Sequence, residues 1–333
     1  MDFGAIPGHA EFRACRNLRG GSSCDGSPLL MRKTVKGRWN PFRYFRNTIR
    51  KSGYFRDMKT SNRYFGFEGV LAGLIAIFSA LPSMAFAWNL SDGTWIDLTH
   101  EFSEKSVYWP ISKTFKKTAV FEGDTDAGYY YTAHDFEAAE HGGTHMDAPI
   151  HFCKGRDAVH EVPIEQLIGE AAVIDISAQV ERDRDYRFTT QDILHWEKTH
   201  GRLPDGAILL IDTGLGKFYP DRKKYMGTDK RGQEGVDELS FPGIHAEAAR
   251  FLTTERNIEA VGLDTPSTDY GKSRKFPTHV ILCEKDIPGF ENVANLDKLP
   301  AKGAIVFALP MKIEGGSGAP LRIVAFVPNP ARH

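Results

Sequence analysis

Net charge is nearly absent from this chain. Its 333 residues carry 42 Lys or Arg against 43 Asp or Glu, which gives a formal net charge of -1. The balance hides an asymmetry, because residues 1–57 carry twelve basic and four acidic side chains, while the rest of the chain carries 30 and 39. A nucleic-acid-binding protein usually keeps its positive charge on the folded part. The charge distribution therefore argues against nucleic acid as a partner.

Cysteine is also scarce. Of the four cysteines, only Cys153 and Cys283 lie beyond residue 87. They could pair in an oxidising compartment or remain as small buried hydrophobic residues. Because a domain of this size does not need a covalent cross-link, we expect free, buried thiols.

Linkers, repeats and low-complexity tracts are absent after residue 88, which predicts one domain over residues 88–333. Residues 1–57 lack the periodicity of a helix or a strand and mix Arg, Gly and Ser with scattered aromatics. We interpret them as a disordered basic extension that precedes the true start of the protein.

Residues 58–87 have the features of a secretory signal peptide. Met58 opens a short basic start, an apolar run follows at 70–81, and a small-x-small pattern ends at Ala87. We therefore predict a secreted or periplasmic protein whose translation starts at Met58. A membrane anchor is the alternative, since residues 69–90 are uncharged. The glycine and proline within the run suit cleavage better than a membrane span.

The remaining chain alternates apolar, β-branched runs with helical segments. The runs are bounded by Gly, Pro or Asp, which is typical of strands with little exposed surface. Two helices are predicted between strands, one capped by Thr190 and one with Pro242 in its first turn. This order favours an α/β fold on a mixed sheet. The predicted strands are 94–102, 171–177, 207–214, 259–267, 304–313 and 322–328.

One stretch, "EHGGTHMDAPIHF" at 140–152, concentrates three histidines and an aspartate. Imidazole and carboxylate are usual ligands of a divalent cation. Glycines and a proline disfavour a helix there. A turn followed by a strand would bring His141 over His145, put His145 and Asp147 on one side, and place His151 further along that side. A single histidine is usually structural, but this set together indicates a metal site.

A second cluster, "FPTHVILCEKDIPGFENVANLDKLP", supplies His279 and Glu291. Glu291 alone could be a surface carboxylate. Together with the first cluster and the "DTPS" segment between them, however, it closely resembles the cyclase family of metal hydrolases, which includes bacterial kynurenine formamidase and isatin hydrolase. The resemblance runs from about residue 95 to 328. It implies a single α/β domain of the swivelling β/β/α type, with a mixed, barrel-like β core flanked by helices.

The resemblance also implies roles for individual residues. Two histidines bind one ion, the third binds a second ion, and the two carboxylates contact both. One further histidine transfers the proton, and a tryptophan packs on the substrate ring. The metal ligands would be His141, His145, Asp147, His279 and Glu291, the proton-transfer residue His151, and the ring contact Trp109.

The chemistry expected of such residues is hydrolysis of a small amide or cyclic amide. Two cations lower the pKa of a shared water and polarise the carbonyl, and a histidine titrating near neutral pH can transfer the proton. The family uses Zn²⁺ or Mn²⁺ and binds one or two ions, so the identity and the number of the metal ions stay open. We also expect a homo-oligomer, either a dimer or a tetramer. The alternatives are a metal-dependent cyclase or dehydratase, and a periplasmic small-molecule binding protein on the same fold.

Other candidates carry weaker signals. Asp264, Ser267 and Asp269 lie where a predicted strand ends and a loop begins, so they could support the metal ligands or contact substrate, or simply form a turn. Tyr129, Tyr130 and Tyr131 are interpreted as a half-buried strand. Five other histidines of the domain are interpreted as structural or solvated. These are His134, His160, His195, His200 and His245.

Overall fold

A computed structural model describes residues 90–330. The predicted basic extension at 1–57, the signal peptide at 58–87 and the cleavage site at Ala87 lie outside this range and stay predictions, as do the domain bounds 88–333. Within the described part, no helix is long and apolar enough to cross a membrane.

Residues 90–330 contain strands over most of the predicted positions. The first strand is shorter than expected, because it ends at Asp97 rather than at residue 102. The strands are β1 Gly93–Asp97, β2 Lys116–Asp124, β3 Tyr130–Glu137, β4 His145–Asp147, β5 Ile168–Asp175, β6 Arg187–Phe188, β7 Ala207–Asp212, β8 Gly243–Ile244, β9 Ile258–Leu263, β10 Gly289–Glu291, β11 Lys302–Pro310 and β12 Gly318–Pro328.

Eight strands form one mixed sheet in the order β1-β12-β11-β5-β7-β9-β10-β4. Its centre, from β5 to β10, is parallel, and the flanking pairs are antiparallel. β4 also pairs with the start of β12, so the sheet closes into a barrel-like ring and β1 adds a further strand along β12. The prediction of an α/β fold with a mixed, barrel-like core is confirmed.

Strand β7 lies between two apolar cores. Leu209 and Ile211 pack on the helical side of the sheet, whereas Ile208 and Leu210 face the interior of the barrel. A strand buried on both faces carries a continuous apolar run instead of an alternating one, which explains the uninterrupted "AILLID" segment.

The helices lie between strands, as predicted, but two of them begin at other residues than expected. The first long helix is capped by Thr189, not Thr190: the Thr189 hydroxyl accepts from Asp192 N and the Asp192 carboxylate accepts from Thr189 N. Pro242 lies before a short strand, and His245 caps the next helix. The helices are α1 Ser177–Arg182, α2 Thr190–His200, α3 Arg222–Met226, α4 Gly232–Asp237, α5 Ala246–Thr254 and α6 Pro277–Cys283.

Strands β2 and β3 form a separate antiparallel hairpin beyond the Tyr108–Gly142 bridge. The three tyrosines lie at the tip of this hairpin: Tyr129 is in the turn, and Tyr130 and Tyr131 begin β3. Tyr129 and Tyr130 are each 60% exposed and Tyr131 is 50% exposed, so the prediction that they are half-buried was wrong. A two-stranded hairpin has no second layer to cover its faces.

Cys153 and Cys283 are joined in a disulfide, which corrects the expectation of free thiols. Their Cα atoms lie 5.7 Å apart although 130 residues separate them in sequence. The argument from domain size was wrong here because the fold brings the turn after β4 against the last turn of α6. Sequence spacing gives no information about such a distant pair.

Candidate metal centre and active site

The pairing of β4 with β10 brings the two predicted clusters together. In this antiparallel register His145 lies opposite Glu291, and Met146 lies opposite Phe290. Side chains alternate between the faces of a strand. Met146 and Phe290 accordingly fill the barrel core, while His145, Asp147 and Glu291 line a cavity on the other face.

Two glycines shape the turn that precedes β4. Gly143 has φ 60°, in the left-handed region that favours glycine. At Gly142 a Cβ atom would lie 2.0 Å from a carbon of the Tyr108 ring, so only glycine fits there. The turn brings the ring of His141 to 5.4 Å from the ring of His145, measured between centroids. The predicted turn followed by a strand is therefore present, with His141 next to His145.

His141 contacts a residue that the sequence interpretation missed. Its Nε2 atom lies 2.9 Å from the Ser317 hydroxyl, which itself donates to the Glu140 carboxylate at 2.7 Å. Because that hydroxyl has a single proton, it accepts from Nε2–H of His141. Nδ1 of His141 lies 2.7 Å from Asp147 Oδ1. Gly318 makes room, since a Cβ there would lie 2.4 Å from the His141 ring.

His145 is buried and has one free ring nitrogen. Nδ1 donates to the carbonyl of Gly143 at 3.0 Å. Nε2 is buried without a hydrogen-bond partner among residues 90–330. It lies 3.2 Å from Asp147 Oδ1 and 3.4 Å from Glu291 Oε2. An unpaired, buried acceptor between two carboxylates is the arrangement expected of a metal ligand.

His279, on the first turn of α6, approaches the same carboxylates from the other side. Its Nδ1 atom donates to Asp269 Oδ2 at 2.7 Å. Its Nε2 atom lies 3.2 Å from both Asp147 Oδ2 and Glu291 Oε1. Asp269 thus orients His279, as a carboxylate behind a metal-binding histidine commonly does.

Each carboxylate therefore lies between two neighbouring groups of possible metal-ligand atoms. Oδ1 of Asp147 faces His141 and His145, while Oδ2 faces His279. Glu291 divides its two oxygens between His145 and His279 in the same way. Atoms that bind one ion at about 2.1 Å lie roughly 3.0 to 3.4 Å from each other. Four of these contacts, at 3.2 to 3.4 Å, fit that spacing, so the residues could hold a divalent cation in each group.

The electrostatics of the buried cluster depend on its close charges. Burial raises the pKa of Asp147, but the neighbouring histidines outweigh it and hold the pKa well below its ordinary value. Burial, together with the charge of Asp147, raises the pKa of Glu291. Burial alone would lower the pKa values of His145 and His279. The neighbouring carboxylates outweigh burial, so both pKa values lie above the ordinary value of histidine. A second carboxylate at this depth is stabilised by positive charge, which a divalent cation would supply.

His151 lies in the site, but not on the strand that was expected to carry it. It ends a 3-10 turn, Pro149–His151, and its ring stacks on the His141 ring at 3.8 Å between centroids. Burial lowers its pKa to about 4. The expectation of titration near neutral pH was therefore wrong, because the sequence does not reveal how deeply the ring is buried.

The cavity above the cluster has a volume of about 220 Å³ and is partly aromatic. Trp109, Phe152 and Phe276 line it together with the predicted ligands and His151. Phe276 has φ 47°, an uncommon conformation for a non-glycine residue. Its ring centroid lies 5.4 Å from that of Phe152 and 6.4 Å from that of Trp109. The sequence interpretation identified Trp109 but missed the two phenylalanines, since isolated aromatics usually belong to a core.

The weaker candidates divide between the site and the scaffold. Ser267 lines the cavity and accepts from the backbone N–H of Asp269 at 3.2 Å. Asp264 instead accepts from the backbone N–H groups of Thr213 and Gly216, each at 2.8 Å, so it holds the segment that follows β7. The five histidines interpreted as structural are not among the residues that line this cavity.

Comparison with known proteins shows which family the chain is similar to. The sequence profile of the family described as "Putative cyclase" matches residues 96–270. Isatin hydrolase of Roseibium aggregatum is 33% identical over 218 residues, which cover 63% of this chain and 80% of that one. Kynurenine formamidase of Salinibacter ruber is 27% identical over 218 residues, or 62% and 91% of the two chains.

Solved structures show the same likeness. Isatin hydrolase A from Ralstonia solanacearum superimposes with a TM-score of 0.65 at 30% identity, covering 80% of this chain and all of that one. The chain belongs to the cyclase family. The relatives place it among hydrolases that act on C–N bonds outside peptides.

Proposed function

We propose that this protein is an exported, metal-dependent hydrolase that opens an amide C–N bond in a small aryl formamide or cyclic amide of the isatin type. The observation that carries the proposal is the pair of ligand groups that share Asp147 beneath an aromatic-lined cavity. A planar, largely apolar substrate suits a cavity bounded by Trp109, Phe152 and Phe276.

The proposed ligands are His141, His145, Asp147, His279 and Glu291. Imidazole nitrogens and carboxylate oxygens without a thiolate suit Zn²⁺ or Mn²⁺, and the two ligand groups could hold one or two ions. When bound, such cations supply a water of lowered pKa and polarise the carbonyl under attack.

The chain's own residues would position the substrate and move the proton. Trp109 and Phe276 bind the ring of the substrate. His151 is neutral at pH 7 because burial holds its pKa near 4, so an imidazole nitrogen can accept the proton of the attacking water. The protonated imidazole then donates to the departing nitrogen. A binding protein needs no such group, so the presence of His151 in the cavity supports an enzyme.

Metal analysis of the purified full chain, combined with activity assays, tests this function. We expect one to two equivalents of Zn²⁺ or Mn²⁺, turnover of isatin or N-formylkynurenine, and solvent ¹⁸O in the product. Product without solvent oxygen would favour the cyclase or dehydratase alternative. Asp147→Asn, which keeps the shape but removes the charge, should lose both metal and turnover. Unchanged metal content and turnover in this variant would refute the assigned site.

Export is proposed from the signal peptide predicted at residues 58–87. The disulfide between Cys153 and Cys283 supports it, because disulfides persist in oxidising compartments such as the periplasm. Fractionation of cells that produce the natural protein, followed by N-terminal sequencing, tests the proposal. We expect a periplasmic or secreted chain that starts near residue 88. A cytoplasmic chain that retains residue 58 would contradict it.

We also propose that the protein forms a homo-oligomer, a dimer or tetramer, through the hairpin of β2 and β3. On one face of the hairpin Phe121, Tyr131 and Ala133 lie together, and the two aromatic rings are 5.7 Å apart between centroids. The opposite face carries Glu122 and Asp124. An apolar face on an exposed ribbon is normally covered. Light scattering should show an oligomer that Tyr131→Ser weakens; a monomeric wild type would refute this proposal.

A further inference from the structure

Asn292, which follows the proposed ligand Glu291, is the residue from which a further role can be inferred. It is 1% exposed and has φ 52°, in the left-handed region. Its backbone N–H donates to the carbonyl of Thr265 at 2.8 Å, and its carbonyl accepts from the hydroxyl of Thr144 at 2.7 Å. The backbone of Asn292 therefore connects β10 to the segment after β9 and to the residue before β4.

The side chain makes two further hydrogen bonds. Nδ2 donates to the carbonyl of Gly143 at 2.7 Å, and Oδ1 lies 2.9 Å from the hydroxyl of Tyr225, which also lies 3.0 Å from the carbonyl oxygen of Asp264. The orientation of the amide is fixed, because the Gly143 carbonyl can only accept and must face the NH₂ group. Every polar group of Asn292 is thus paired.

The Gly143 carbonyl is the link to the metal site. It accepts not only from Asn292 but also from Nδ1 of His145 at 3.0 Å. This second bond keeps the proton of His145 on Nδ1 and directs Nε2 towards Asp147 and Glu291. Gly143 lies in a left-handed turn, and glycine is the most flexible residue that the chain could place there. Without the side chain of Asn292, the Gly143 carbonyl that orients His145 would lose the hydrogen bond that holds this carbonyl in place.

We propose that Asn292 is a positioning residue that fixes the tautomer and the direction of His145 through the Gly143 carbonyl, and so sets the affinity of the site for its cation. The inference rests on the proposed metal function. Outer partners of metal-binding histidines change metal affinity by about 10- to 100-fold when removed.

Asn292→Gly tests this role with little disturbance of the backbone, because glycine adopts a positive φ without strain. Asn295→Gly is the matched control. Asn295 also has a positive φ, of 56°, and its Nδ2 donates to a carbonyl, that of Asp97, at 2.7 Å, but it does not line the cavity. Both variants lose a hydrogen bond from Nδ2 to a carbonyl, one next to the metal site and one elsewhere, and Asn292→Gly also removes a buried side chain that contacts Tyr225.

Titration calorimetry of the full chain with Zn²⁺ and Mn²⁺ measures the affinities, and thermal melting of the metal-free proteins measures stability. We expect Asn292→Gly to weaken binding 10- to 100-fold and Asn295→Gly to leave it within about twofold of wild type. Asn292→Gly should also lower the melting temperature more than Asn295→Gly does, because it removes a buried side chain. Equal metal affinities in the two variants would overturn the role of Asn292. A wild-type protein that binds neither ion would instead refute the metal function, and this inference with it.

Asn292→Asp provides a second test if the glycine variant does not fold. Aspartate has nearly the same shape and tolerates a positive φ, but its carboxylate cannot donate to the Gly143 carbonyl. Its added negative charge would by itself favour a cation. A loss of at least tenfold in affinity would therefore support the loss of positioning, and unchanged or tighter binding would overturn it.

Discussion

The disulfide between Cys153 and Cys283 should contribute strongly to stability. It closes a loop of 130 residues, for which the loss of chain entropy in the unfolded state corresponds to an upper value of about 5 kcal/mol. Disulfides commonly contribute about 2 to 4 kcal/mol. The same contact also contains a salt bridge, Arg156 to Asp286 at 2.7 Å, which remains after reduction. We therefore expect reduction to lower the free energy of unfolding by about 3 kcal/mol.

Melting with and without reductant measures this effect. For a domain of this size, about 3 kcal/mol corresponds to a fall of roughly 6 to 12 °C in the melting temperature. The double variant Cys153→Ser, Cys283→Ser should melt at the lower temperature under both conditions. Alkylation followed by mass spectrometry reports whether the bond was reduced. If the thiols became fully reactive while the melting temperature stayed the same, the entropic reasoning would be refuted.

Three further predictions concern single side chains. Burial and the charge of Asp264 raise the pKa of Asp212 to about 7. The folded state therefore holds a proton that the unfolded state releases near pH 4, so the free energy of unfolding should fall as the pH rises from about 4 to 7. Asp212→Asn should flatten this dependence by about 1 to 3 kcal/mol in urea melts at pH 5 and pH 8; an unchanged slope would contradict it. Phe276→Ala should raise KM for an aromatic amide several-fold at similar kcat in steady-state assays, because Phe276 lines the cavity. An unchanged KM would show that Phe276 does not contact the substrate. Thr189→Ala should cost about 1 kcal/mol in urea melts, and the control Thr190→Ala much less, if Thr189 is the cap.

Local sequence patterns predicted a large part of the fold. The apolar runs at β5, β7 and β9 identified buried strands, because a strand covered on both faces needs apolar residues throughout. Cap positions were less accurate. Thr189 and Thr190 are equally good caps by residue type, and only the reciprocal bond with Asp192 selects the first.

The ligand-type side chains of the site could also be predicted in part, since several of them lie within one short segment. Glycine at 142 and 143 and the alternation of His145 and Asp147 are local properties that any reading of the chain can find. His279 and Glu291 were identified through a family resemblance, because Glu291 reaches the site through the pairing of β4 with β10 and His279 reaches it from α6.

The sequence by itself determined which atoms are available: imidazole and carboxylate ligands, two glycines for a tight turn, and apolar runs that must be buried. The tertiary structure decided what those atoms face. It joined Cys153 to Cys283, placed Ser317 and Asn292 behind the histidines, and lowered the pKa of His151 by burial. Burial and long-range contacts depend on segments more than a hundred residues apart, and no local pattern records their distance.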